Sequence, residues 1–238
     1  MAGGGFSRKS RRETNTGVSS NTPLQSRPDL SRERRVEEQV NPDSERLGQK
    51  EFEEKLNRGD VSFHSVTVCS VYLEGAEIEG LSFEDCELIS FQVRDASLPS
   101  AKFTDSSCKG LKTDDVDLGK ACFDQADLNG CVFQNTDLKN ASMKDCDLYG
   151  ASFMDADLSG VDFSNADMGS SVFQDVELAK ASFVNADLSS ASFKEIHFED
   201  TDFSNATLDD LSIEDSEGTI RYEGETIGVE EFLAKVIG

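Results

Sequence analysis

The chain has 238 residues, 37% hydrophobic and 8% aromatic with no Trp, so a conventional globular core would be lean. Its net charge of −24 is unevenly spread: residues 1–50 hold ten Lys/Arg against seven Asp/Glu, and residues 51–238 hold 13 against 40. That balance argues against direct nucleic-acid binding by the folded part and suits a protein partner with a basic surface.

The N-terminus, "MAGGGFSRKSRRETNTG", has no apolar run behind its basic residues and is not a secretory signal. No stretch approaches the roughly 18 apolar residues of a membrane span. The sequence therefore reads as a soluble, cytoplasmic protein. Residues 1–46 carry three of the four prolines (Pro23, Pro28, Pro42) and few apolar side chains, the composition of a disordered basic, Ser-rich tail. Within it "RKSRR" (8–12) sets four cations around Ser10, a pattern that fits anion binding, a nuclear address, a basophilic kinase or a plain solvated tail. In residues 47–60, Phe52 and Leu56 stand four apart and Gly59 follows as a stop signal, which predicts a short amphipathic helix.

From residue 61 a period of five takes over. Every fifth residue from Phe63 to Ile213 gives 31 positions: twelve Phe, eleven Leu, two each of Ile, Met and Val, plus Cys108 and Thr113. Two residues before each stands mostly Ala, Val, Cys, Ser or Thr, and none of these 62 positions is charged, although residues 61–215 hold 31 Asp/Glu and nine Lys/Arg. A 3.6-residue helix would smear this pattern around its circumference, and a plain strand would flip successive members between faces. A chain that turns a corner every five residues sends one large and one small side chain inward on each side of a square coil. Short fixed repetition of this kind marks a solenoid.

The motif A-[DS]-[LF]-x-x, present as "ADLNG", "ASFMD", "ADLSG" and "ASFVN", resembles the pentapeptide-repeat consensus over residues 61–215 without an insertion. The resemblance implies an all-β solenoid, a right-handed quadrilateral β-helix of about eight coils. Residues twenty apart then stack. Phe63, Phe83, Phe103, Phe123, Met143, Phe163, Phe183 and Phe203 form one ladder, and Phe133, Phe153, Phe173 and Phe193 a second. At about 4.8 Å per coil the rod is roughly 37 Å long, with a thin dry core and no internal pocket. Cys108 and Thr113 at consecutive large positions, with Leu111 at a small one, predict a local distortion over 106–115. Pro99 is placed in a corner.

Open solenoid ends invite association. The helix in 47–60 is placed to cover one end. At the other, residues 216–238 drop the period: "TIRYEGETI" reads as a hairpin about Gly224 and "VEEFLAKVI" as an amphipathic helix with Val229, Phe232, Leu233, Val236 and Ile237 on one face. Capping is the first reading. Homodimerisation through that face is the second, since members of the resembled family often pair at this end.

Catalytic chemistry has little to build on. His64 and His197 lie far apart in outward positions, no nucleophile–base arrangement is suggested, and no cofactor is implied. "DDVD" (114–117) and "DAD" (155–157) lack the Gly and terminal Glu of a calcium loop. The six cysteines form no metal motif: Cys86, Cys108, Cys131 and Cys146 should be buried and Cys69 and Cys122 outward, with none twenty residues from another. The acidic columns are the best candidates for partner binding. Asp117, Asp137, Asp157 and Glu177 should stack on one side, and Asp127, Asp147, Asp167 and Asp187 on the opposite one. Asp residues also serve turns by hydrogen-bonding nearby N–H groups. Two functions follow: a non-catalytic interaction scaffold, or a DNA mimic that engages a type II topoisomerase, as the resemblance implies for quinolone-resistance members. The absence of loop insertions and the basic tail depart from those members.

Overall fold

Every fifth residue from Ser65 to Asp215 sits in the left-handed region, with φ between 49° and 69° at all 31 positions. This local event builds the fold, because one left-handed residue in every five bends an otherwise extended chain through a corner of the square coil. The residues found there suit it: ten Asp, six Gly, six Ser, five Asn, and two Lys, one Gln and one Glu. Gly has no Cβ to clash, and Asp, Asn and Ser bond locally to backbone, so these types tolerate the conformation better than branched side chains. Pro99 precedes Ser100 in one such corner, and the Leu98 carbonyl accepts the Ala101 N–H at 3.2 Å across it. There the fixed φ of proline is pre-set and its missing donor is not needed.

The computed structural model describes residues 44–236. The expected tail therefore lies almost wholly outside the described residues, and its last members do not continue it: Glu45–Leu47 is a strand paired in parallel with Val66–Val68. Above it the chain winds as a β-solenoid of about nine turns with one helix near each end. The strand beneath the repeats and the strand Glu217–Tyr222 above them extend the coils anticipated from the repeats alone. Each coil has four sides, numbered here by their central large residues: side 1 contains Phe63, side 2 Val68, side 3 Leu73 and side 4 Ile78. Residues twenty apart pair throughout, as in Phe133↔Phe153↔Phe173↔Phe193. Side 3 carries an eight-stranded parallel sheet running from Tyr72–Glu74 to Ser212–Glu214.

The core is one ring deep. On side 1, Phe63, Phe83, Phe103 and Phe123 stack with centroids 5.3, 5.5 and 4.7 Å apart, and on side 3 Phe133, Phe153, Phe173 and Phe193 at 5.1, 4.9 and 4.5 Å. The two ladders meet edge-on in the middle, Phe183 against Phe193 at 88°. Such aromatic pairs add about 0.5–1.5 kcal/mol each beyond their burial. The small inward positions have their own device. Ser106, Cys131, Cys146 and Thr201 each donate to the carbonyl of the residue 23 earlier in the chain, at 2.8–3.3 Å. A small polar side chain is thus satisfied inside an otherwise apolar column.

The expected distortion at 106–115 does not occur. The ladders Glu87↔Ser107↔Asp127 and Gln92↔Lys112↔Val132 run through it in register. Cys108, Leu111 and Thr113 are all buried, so the bulk of Leu111 compensates for its two small neighbours. Thr136 donates to the Gln134 carbonyl at 2.8 Å, which makes Thr113 the donor in the 2.8 Å contact between the two hydroxyls.

Both ends are covered. Helix α1 (Gln49–Asn57) drives Phe52 onto the first coil, with ring centroids 5.0 Å from Phe63 and 5.9 Å from Phe83. Its Gln49 amide imitates a strand: Nε2 donates to the Tyr72 carbonyl at 2.9 Å and Oε1 accepts the Tyr72 N–H at 2.7 Å. That closes the lower edge of the side 3 sheet. At the other end Glu217–Tyr222 and Glu225–Gly228 form an antiparallel hairpin about Glu223–Gly224, and helix α2 (Val229–Val236) follows it. No helix among the described residues is long and apolar enough to cross a membrane.

Candidate functional site

The two acidic columns exist as stacks. Asp117↔Asp137↔Asp157↔Glu177 pair successively on side 4, and Asp127↔Asp147↔Asp167↔Asp187 on side 2, the opposite side. Both are built by one local rule. In each Asp of the two columns, Oδ1 accepts the N–H of the residue two further on: Gly119, Lys139 and Ser159 on side 4, and Asn129, Tyr149, Gly169 and Ser189 on side 2, at 2.9–3.3 Å. Asp162 and Asp202 do the same on side 1. These nine and the ten Asp at corners account for 19 of the 31 acids in residues 61–215. Most of the acidity is therefore a by-product of turning the chain.

What separates the columns is the second carboxylate oxygen. On side 4, Lys139 Nζ lies 2.5 Å from Asp157 Oδ2 and 3.8 Å from Asp137 Oδ2. Burial pushes the Asp157 carboxyl up, but hydrogen bonds from Lys139 and Ser159 outweigh it and hold the group below its ordinary value. Glu177 is longer and makes no such turn bond; its Oε1 is buried without a partner among the described residues. Above it comes exposed His197, with Nδ1 3.8 Å from Glu217. On side 2, Lys109 Nζ pairs with Asp127 Oδ2 at 3.1 Å. Higher up, Asp147, Asp167 and Asp187 have no Lys or Arg within ion-pair distance among the described residues. Three like charges thus stand one per coil, at about 4.8 Å steps, with one oxygen fixed inward and the other turned to solvent.

Beside them stands a residue that sequence reasoning passed over. Tyr149, 55% exposed, is one of two exposed large hydrophobic side chains among the described residues, the other being Val172. It follows Asp147 on side 2 and leans over Gly169, where an added Cβ would come within 3.1 Å of its ring. The Ser170 hydroxyl reaches the Tyr149 hydroxyl at 3.5 Å. The signal available in the sequence was an outward aromatic with a glycine twenty residues later.

The C-terminal candidates are placed differently from one another. Phe232 is fully buried, 5.4 Å from Phe203 and 5.2 Å from Tyr222, and Val229 is buried as well. Leu233 and Val236 are partly buried against the same core, and Ile237 lies outside the described residues. This helix face is packed on its own solenoid. The six cysteines are unpaired; Cys86, Cys108, Cys131 and Cys146 are buried, Cys69 and Cys122 partly exposed. Burial pushes the thiols of Cys131 and Cys146 up to about 12. His64 and His197 are both exposed. Among the described residues no group of three His, Cys, Asp or Glu is arranged to hold a metal ion.

Residues 114–183 and 150–218 match the family model of the pentapeptide repeat region. No curated protein sequence matches the chain significantly. Among solved structures, it is similar to HetL, a pentapeptide repeat protein involved in heterocyst differentiation regulation in the cyanobacterium Nostoc sp. strain PCC 7120. The identity is 17%, over 71% of this chain and 94% of HetL, with a TM-score of 0.30. It is also similar to full-length QnrB1, a plasmid-mediated fluoroquinolone resistance protein, at 13% identity over 72% of this chain and 99% of QnrB1, with a TM-score of 0.31.

Proposed function

We propose that this chain, whose residues 114–218 match the pentapeptide repeat region, is a non-catalytic scaffold that holds a basic protein surface against side 2. The observation that carries this is the uncompensated column Asp147, Asp167 and Asp187 with exposed Tyr149 at its foot. A rigid row of carboxylates steers a basic partner, and an exposed aromatic beside it supplies the large contact area that anchors an interface. Asparagine is the right probe, because it keeps the oxygen that accepts the turn N–H and removes only the charge. Affinity capture with the wild type should enrich basic proteins that the Asp147→Asn/Asp167→Asn/Asp187→Asn variant loses. Truncating Tyr149 to Ala should cost about tenfold in affinity for the same partner. Equal capture by wild type and both variants would reject side 2 as the binding surface.

The same column supports a second reading, that the rod stands in for DNA in a type II topoisomerase. Dose-dependent inhibition of gyrase supercoiling or protection from a quinolone, lost in the asparagine variant, would put this reading first. No effect at micromolar protein would leave the general scaffold.

A further inference from the structure

The first described residue sits at the foot of side 2. Ser44 contacts Thr67 through their hydroxyls at 2.6 Å, and the following strand, Glu45–Leu47, pairs beneath Val66–Val68 of that side. From Ser44 an open groove of about 490 Å³ climbs the corner between sides 1 and 2. Its wall carries Asp85, Glu87, Asp105 and Asp127 on three successive coils, and its one lining cation, Lys109, is paired with Asp127. Asp105 makes no hydrogen bond or ion pair through its side chain among the described residues. Beyond the groove the acid path continues through Asp147, Asp167 and Asp187.

The 43 residues before Ser44 lie outside the described structure, and their sequence is complementary to this path. Arg8, Lys9, Arg11 and Arg12 put four cations in five residues, with no acid before Glu13. From the level of Ser44 to Asp127 the groove crosses four coil steps, ~19 Å; its acids from Glu87 to Asp127 span two steps, ~10 Å, within the ~17 Å that five extended residues cover. The 32 residues from Arg12 to Ser44 reach at most ~110 Å, several times the height of the groove. Tethering makes the encounter intramolecular, which raises the effective concentration without any new contact.

We propose that residues 8–12 of this chain dock in the acidic groove at the foot of side 2, covering Glu87, Asp105 and Asp127 on their own molecule. This inference does not need an external partner, but it has a consequence for one: a basic surface approaching side 2 competes with the chain's own basic segment. Docking should strengthen at low ionic strength and fade as the screening length shrinks.

The test uses the full chain. Zero-length carbodiimide coupling at low salt should join Lys9 to Glu87, Asp105 or Asp127 within one molecule. In parallel, trypsin should cut after Arg8, Lys9, Arg11 and Arg12 about fivefold more slowly than in a Glu87→Gln/Asp105→Asn/Asp127→Asn variant, with the difference gone at about 0.5 M salt. Circular dichroism melting of that variant verifies that its coils are intact. Lys9 coupling to side 4 acids, coupling only between molecules, or equal cleavage of wild type and variant at low salt would each overturn the proposal. Coupling of Lys9 to the groove together with no captured partner would sustain it while rejecting the scaffold reading. A captured partner with no coupling would do the reverse.

Discussion

Gly130 tests the corner rule without interference from packing. Its φ is +62°, and a Cβ built on it would meet nothing within 4 Å, so the cost of any substitution there is backbone cost alone. An L-residue in the left-handed region loses about 1–2 kcal/mol, and replacing Gly returns about 0.4–1 kcal/mol through the unfolded chain. Alanine should therefore destabilise by about 0.5–1 kcal/mol. Asparagine, which occupies the equivalent position of the repeat at 135, 140, 165, 185 and 205 on the other corners, should be close to neutral. Valine, branched at Cβ, should cost about 2 kcal/mol or more. For a domain of this size 1 kcal/mol moves Tm by about 2–4 °C, so the valine variant should melt roughly 4–8 °C below the asparagine variant. Gly119 is the control one position earlier in the repeat, where φ is not positive and a Cβ would lie 3.2 Å from Asp117 Oδ1. Its alanine variant should melt no lower than wild type once that carboxylate shifts slightly. Differential scanning calorimetry of the four variants decides the matter. Gly130→Val and Gly130→Asn melting together would refute the claim that backbone handedness selects the corner residues.

The other expectations are shorter. Ser171 Oγ is buried without a partner between Ala151 and Ala191 of the coils below and above, so Ser171→Ala should stabilise by about 1 kcal/mol in urea unfolding. Gln49→Ala leaves the Tyr72 backbone groups unpaired and should cost about 1–2 kcal/mol while promoting end-to-end association, read by light scattering against concentration. Asp157 and Asp162 titrate below the ordinary carboxylate value, so the stability they contribute is present above the unfolded pKa near ~3.9 and is lost as pH falls through their folded values. Lys139→Gln should accordingly destabilise at pH 7 by about 1 kcal/mol, with the gap to wild type closing in acid. A thiol-reactive dye should label Cys69 and Cys122 in the native protein and the other four cysteines only on unfolding.

The inside of this molecule was legible because a five-residue period admits one solution. Phe153, Leu158, Phe163 and Met168 point inward since each corner resets the chain by a fixed angle, and every member of that run is fully buried. The coil at 106–115 was harder because single-position rules treat Cys108, Leu111 and Thr113 as three separate faults. In space they are one compensated set, and the hydroxyl that completes it, Thr136, lies 23 residues on. Offsets of 23 rather than 20 were invisible in the repeat. They join neighbouring sides on successive coils, and they also place Gln49 on Tyr72. The outer surface was the least legible part, since residue type alone does not show which Asp has a lysine beside it.

That distinction changes how an acidic solenoid is to be read. A net charge of −22 over residues 61–215 invites comparison with a polyanion, yet ten of its Asp are corners and nine more bond the turn that follows them. Such acids serve the turns whatever the chain binds, although Gly, Ser and Asn fill the same corner position elsewhere in the rod. Recognition must rest on departures from the architectural minimum. On side 4 Lys139 neutralises charge by bridging two coils, and Glu177 keeps its charge but forgoes the turn bond that Asp makes. On side 2 they concentrate it, because three successive Asp keep an oxygen in solvent and the one outward aromatic among them lies over a glycine that leaves room for its ring. Two columns that the sequence presents as equivalent thus differ in character, and the proposal that side 2 meets a partner rests on that asymmetry, while Lys139 ties two coils together on side 4.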